Sequence, residues 1–174
     1  MQRRVGASER SMLVVLGNLA STYRALGRLE ESLRMRRDVY SGTLKVFGEE
    51  NSDTLIEANN YALSLLKLQR FEEAKSLLRR TMPVARRVLG KGCDTTLRMR
   101  QNYAAALCND PGATLDDLRE AVTILEDVER IARRVLGGTH PTTTAIEESL
   151  RDARAILRAR EETPSDELDE VENA

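Results

Sequence analysis

Aromatic residues are scarce in this 174-residue chain: four Tyr, two Phe and no Trp. That scarcity bears on one class of function at once. The paired arginines Arg79-Arg80, Arg86-Arg87 and Arg133-Arg134 suggest a polyanion, but base-stacking surfaces need aromatic rings interleaved with cations. No ring interleaves here, and acidic residues neighbour the third pair. Solvated helix faces are the expected role, and nucleic acid is not an expected partner. Histidine occurs once, as His140, and the two cysteines, Cys93 and Cys108, have no metal-ligand spacing. No glycine-rich phosphate loop is present either. No metal site, cofactor or nucleophile–base pair is therefore expected, and the chain does not read as an enzyme. Reduced, structural cysteines suit an intracellular protein. No apolar run approaches the ~18 residues of a membrane span, and "MLVVLG" is too short for a secretory core. The expected setting is the cytoplasm, with no membrane partner.

Charge, by contrast, is abundant and unevenly placed. The last 14 residues, "EETPSDELDEVENA", hold seven acidic residues and no basic one. With 27 basic and 21 of the 28 acidic residues before Glu161, the body carries +6. Residues 161–174 read as a solvated, disordered acidic tail. A sharper expectation is that the tail competes for basic surface on the body, as a pseudo-ligand.

The strongest pattern is a repeat. Asn18, Asn60 and Asn102 are spaced by 42 residues, and Ala20, Ala62 and Ala104 follow in register. Phe47-Gly48 and Leu89-Gly90 keep the same period, and Leu136-Gly137 follows after a five-residue insertion. The insertion lies where "LLKLQRF" becomes "LCNDPGATLDDL", so a loop has grown between two helices. Each unit reads as two helices, A and B. Helix A of unit one ends near Leu26, at Gly27. Helix B carries apolar residues at steps of three and four: Leu29, Leu33, Val39, Tyr40, Leu44 and Phe47 in unit one. Gly48, Gly90 and Gly137 close the B helices. Ser52 or Asp53, then Asp94, are the expected caps of the following A helices. Thr139 or His140 serves there before Pro141, and Pro83 is expected to kink helix B of unit two or shift its turn. Small residues recur where A and B must approach: Ala20, Ala62 and Ala104 on A, Ser32, Ala74 and Ala121 on B. One pair cannot bury both its faces, so pairs must stack. The expected fold is all-α: a right-handed α-solenoid of about three and a half helix pairs. Its units lie near 11–52, 53–94 and 95–140, with a half unit at 141–160, and the A helices line a concave wall.

"NLASTYRALGRLEES" and "NYALSLLKLQRFEEA" resemble tetratricopeptide repeats, with Ala20, Tyr23 and Gly27 at the small, Tyr and turn positions. The longer period, and the junction Leu136-Gly137 with His140-Pro141, resemble the kinesin light chain subtype. The first two junctions, "FGEENSDTL" and "LGKGCDTTL", depart from it by lacking His-Pro. The resemblance implies a protein-interaction scaffold whose groove asparagines bind peptide backbone.

Asn is a poor helix former, so three in phase need a reason. One reading is a ladder of amides facing the groove, each offering a donor and an acceptor. The other is a ladder bonding neighbouring A helices to one another. The candidate peptide-binding residues are Asn18, Ser21 and Arg24 in unit one and Asn59, Asn60, Leu63 and Lys67 in unit two. Unit three adds Arg98, Gln101, Asn102 and Ala105. Arg24, Lys67 and Arg98 would make the groove basic, favouring an acidic peptide with a hydrophobic anchor. The alternative function is a structural or regulatory segment of a larger assembly. It draws on "MLVVL", where Val14 and Val15 stand at the positions of Arg98 and Met99. A terminal repeat should be polar outside. An apolar one predicts that an upstream repeat covers it, or that chains self-associate through the N-terminal helix.

Overall fold

The computed structural model describes residues 2–162, with side chains from Ser8 onward. Among these residues the chain forms helices and no strand: α1 Gln2–Ala25, α2 Leu29–Phe47, α3 Ser52–Lys67, α4 Phe71–Val88, α5 Asp94–Asn109, α6 Leu115–Val135 and α7 Pro141–Glu162. The odd-numbered helices are the A helices of the repeat and the even-numbered ones the B helices. Among the described residues no helix is long and apolar enough to cross a membrane. The expected acidic tail lies outside the described residues from 163 onward. Its first two residues, Glu161 and Glu162, complete α7, and Glu161 pairs with Arg119 at 3.0 Å.

Each apolar stripe turns inward. Leu33, Val39 and Tyr40 of α2, Leu77, Leu78 and Ala85 of α4, and Leu118, Leu125 and Val128 of α6 are all buried. The small-residue positions lie where the paired helices come closest: Ala20, Ala62, Ala74, Ala104 and Ala121 are fully buried, and Ser32 is 1% exposed. The Ser32 hydroxyl donates to the Ala20 carbonyl at 2.7 Å, so α1 and α2 are nearly in backbone contact there.

Helix ends follow from local chemistry, with two departures from expectation. Asn51, rather than Ser52 or Asp53, caps α3: its Oδ1 accepts the Asp53 amide at 2.8 Å. Ser52 is already the first helical residue, too late to reach that amide. Asp94 is likewise inside α5, and Cys93 holds the cap position with no side-chain bond. The Asp94 carboxylate is used instead to accept from Arg98 and from the Thr142 hydroxyl of α7. His140 does cap α7, its Nδ1 accepting the Thr142 amide at 3.2 Å. α4 is one continuous helix with Pro83 inside it. The inserted loop is docked by Asp110, which accepts from Lys75 Nζ at 2.7 Å and from the Gly112 amide at 2.9 Å. Those bonds hold the Asp110 carboxyl below its ordinary range.

The A-to-B turns of units one and two are the same turn. Arg28 N–H reaches the Tyr23 carbonyl and Arg70 N–H the Leu65 carbonyl, both at 2.9 Å, around a left-handed residue. In unit one that residue is Gly27 (φ 75°); in unit two it is Gln69 (φ 58°). A side chain in this region is strained by roughly 1 kcal/mol. Gln69→Gly is therefore expected to stabilise the chain by about 1 kcal/mol in urea denaturation, against the usual destabilising sign of introducing glycine.

Each helix packs on the next in sequence, and in addition α3 packs on α5 and α5 on α7. No two B helices bring Cα atoms within 8 Å of each other. The A side is thus the narrower side, and the stack curves with the A helices on its inner wall. One step breaks the rule: α1 brings no Cα within 8 Å of α3.

Candidate peptide-binding cavity on the inner wall

The open step has a readable cause. At the closed steps, side chains tie one A helix to the next. Asn102 Nδ2 of α5 donates to Asn59 Oδ1 of α3 at 2.9 Å. Gln101 Nε2 of α5 donates to the Ala145 carbonyl and the Ser149 hydroxyl of α7, at 3.1 and 2.9 Å. Asn59 and Gln101 are one repeat apart, and Ser149 occupies the repeat position of Asn102. The same position in α1, one period before Asn59, is Gly17. With no side chain there, α1 has nothing to hand to Asn60, and the two helices stand apart.

The gap is a cavity of about 290 Å³ lined by Gly17, Asn18, Ser21, Arg24, Arg36, Glu57, Asn60, Leu63 and Ser64. Its floor is an ion pair reaching in from α2. Arg36 Nη1 donates to Glu57 Oε2 at 2.9 Å and Nη2 to Ser21 Oγ at 2.6 Å. The Ser21 hydroxyl in turn donates to the Gly17 carbonyl at 3.2 Å. Arg36 stands one period before Leu78, and Glu57 one period before Met99. Both of those are fully buried. A polar pair thus replaces an apolar contact in this step alone. The side-chain amides of Asn18 and Asn60 have no hydrogen-bond partner among the described residues, and the Arg24 guanidinium has no carboxylate partner among them. The chemistry on offer is two free amides, one free cation, two hydroxyls and an apolar edge from Leu63.

Five of the candidate residues therefore meet around one cavity: Asn18, Ser21, Arg24, Asn60 and Leu63. Asn59 and Asn102 are spent on each other, so the amide row is split between two uses. Gln101 is tied to α7, and Arg98 is held by Asp94 at 2.7 Å and Thr142 at 2.9 Å, which removes it as a free groove cation. Gln101 is lost to the packing of α7 on α5, whereas Arg98 is neutralised within α5 by Asp94 one turn earlier, with Thr142 of α7 adding a second bond. Lys67 is exposed in the last turn of α3 with no ion pair among the described residues. Ala105, with Ala104, borders a separate space of about 80 Å³ where α5, α6 and α7 meet. Cys108 lines that space too, its thiol pushed up to about 11 by burial. The paired arginines of α4 are exposed, and the first pair also makes bonds the sequence did not announce: Arg79 donates to Tyr103 Oη and Arg80 to Tyr40 Oη, each at 2.9 Å. Sequence reasoning missed Gly17, Arg36, Glu57 and Ser64. For the first three the signal was present, as breaks in the repeat register.

Tetratricopeptide repeats are matched over residues 12–53 and 58–92. No curated protein sequence matches the chain. Among solved structures, a variant of a kinesin light chain-like protein of Podosopora anserina with nearly identical TPR-like repeats superimposes at TM-score 0.69. It is 22% identical, over 92% of this chain and 77% of that one. A second structure described in the same terms gives 0.67 at the same identity and coverage. BtubC (BKLC) from P. vanneervenii gives 0.65 at 16% identity, over 90% of this chain and 66% of that one. At such identities the likeness is one of fold. Over residues 12–53 and 58–92 the chain thus matches tetratricopeptide repeats, and its helical stack has the fold of kinesin light chain-like repeat proteins.

Proposed function

We propose that the chain is a non-enzymatic protein–protein interaction scaffold whose inner wall takes an extended peptide segment, anchored in the cavity between α1 and α3. The observation that carries this is the pair of unpartnered amides, Asn18 and Asn60, lining one polar cavity. An extended backbone presents alternating N–H and C=O groups, which two such amides satisfy without reading side chains. Arg24 at the cavity and Lys67 beyond it favour acidic residues in the segment, because the one other cation lining the cavity, Arg36, is neutralised by Glu57. Leu63 offers the apolar contact.

The test uses the register. Gly17→Gln restores the side chain that ties A helices together at the later steps. A Cβ at Gly17 would meet Arg36 Nη1 at 3.6 Å and Glu57 Oε1 at 3.8 Å, ordinary contact distances. The substitution is expected to stabilise α1 by about 0.5–1 kcal/mol, as removal of a helix-interior glycine does. It should also weaken binding of acid-rich extended peptides on an array by about tenfold, the worth of one or two hydrogen bonds. Asn60→Ala should weaken binding comparably, and uncharged peptides should bind less than acid-rich ones at low salt. Equal binding by wild type and Gly17→Gln would remove the cavity from the account.

A second reading, a segment of a larger assembly joined through its ends, has its own observation. Met12, Val14, Val15 and Leu19 of α1 are 61%, 56%, 63% and 39% exposed. Such a face suits a partner helix, and the chain then has a second binding surface at its N-terminal end.

A further inference from the structure

The repeat register shows what the open face of α1 is shaped for. Met12, Val15 and Leu19 occupy the positions of Thr54, Glu57 and Tyr61 in α3, of Thr96, Met99 and Tyr103 in α5, and of Thr143, Ile146 and Leu150 in α7. In every later A helix the preceding B helix covers these positions. On α3, Arg36 bonds Glu57 and the Tyr40 ring stacks on Tyr61 with centroids 6.0 Å apart. On α5, the Thr96 hydroxyl bonds the Ala85 carbonyl of α4, and Arg79 of α4 bonds Tyr103. Ile146 of α7 is fully buried and Leu150 is 7% exposed, with α6 packed alongside. Only on α1 is the position uncovered among the described residues, and there it is more apolar than on α3. The steps of three and four from Met12 to Leu19 form a seam for a packed helix, not for an extended strand.

Charge decides between the occupants that a second copy could offer. A head-to-tail contact would set the α1 seam against the outer face of α7. That face presents Glu148, Arg151, Asp152 and Arg158, all exposed, and α7 contributes no large exposed apolar side chain. Burying those charges against Met and Val is unfavourable. The seam itself carries no charge between Ser8 and Leu26: Met12, Val15, Leu19 and Leu26 share it with Ser8 and Thr22. Two such faces meet without repulsion and without stranding a charge. We infer that the chain forms an isologous dimer through α1, the two helices antiparallel and crossing near Val15. Met12 of one protomer then lies beside Leu19 of its partner. Asn18 is three residues beyond Val15, so the two cavities flank the dimer axis. If the peptide reading above holds, a ligand with two binding segments gains by avidity; the dimer itself does not depend on that reading.

The full chain is expected to run at twice its 19.5 kDa mass in light scattering at high concentration. Val15→Glu and Leu19→Glu should each return it to monomer without changing helix content, because both side chains are exposed. Val15→Cys, with Cys93→Ser and Cys108→Ser, should oxidise to a covalent dimer, since position 15 faces itself across the axis. A monomer at every concentration up to the millimolar range overturns the inference. So does a dimer that survives Val15→Glu, or a dimer that Val15→Cys fails to cross-link, because the contact would then lie elsewhere.

Discussion

Ala104→Leu is expected to destabilise the chain by about 3 kcal/mol, whereas Ala105→Leu, one residue on, should change stability by less than about 1 kcal/mol. Ala104 is fully buried and stands in the register of Ala20, whose carbonyl receives the Ser32 hydroxyl at 2.7 Å. In that register Ala104 stands against Ala121 of α6, also fully buried, so an added isobutyl group is expected to force the α5–α6 pair apart. Parting them strains both sides of the array, since α5 also packs on α3 and α7. Ala105 is only partly buried, so a leucine there can extend toward solvent as well as into the space of about 80 Å³ that both alanines border. Ala62→Leu should behave like Ala104→Leu, as its register equivalent. Urea denaturation of the three variants checks the ranking. A cost for Ala104→Leu no larger than for Ala105→Leu would mean that the small residues do not set helix separation here.

Much of this fold was legible because repetition makes each position testable three times. The period of 42 located the helix pairs, and the in-phase alanines located their closest approach. The stop at Gly27 was legible too, but its equivalent Gln69 was not, because a left-handed glutamine has no compositional signature. The caps of α3 and α5 were displaced by one or two residues, a distance over which several polar residues compete for one amide. The amide row was the least legible feature. Sequence places Asn18, Asn60 and Asn102 on one wall, yet whether an amide faces solvent or a neighbour depends on the helix beside it. Asn102 found Asn59, and Asn60 found only Gly17. The departures from the repeat proved more informative than the repeat itself, since Gly17, Arg36 and Glu57 each interrupt a register that later units keep, and together they make the cavity.

Arg36→Ala is expected to cost about 3 kcal/mol, yet exchanging the whole pair, as Arg36→Leu with Glu57→Met, should leave the chain as stable as wild type or more so. The reason is asymmetry. Truncating Arg36 strands Glu57, whose side chain is only 19% exposed, and removes the donor to Ser21. An uncompensated charge of this kind costs several kcal/mol. The double exchange strands nothing. It reproduces the pairing of Leu78 with Met99 one repeat later, at the same 21-residue separation. Buried ion pairs commonly give way to well-packed apolar residues without loss. A double-mutant cycle should therefore return a coupling of at least about 2 kcal/mol between the two positions. The same variant separates stability from function. With its floor apolar, the α1–α3 cavity loses the guanidinium that orients Ser21, and acid-rich peptides should bind at least about tenfold more weakly to a chain that is no less stable. A stable double variant with undiminished binding would show that the ion pair belongs to the packing of α2 on α3 and that the peptide contacts lie farther along the wall, toward Lys67.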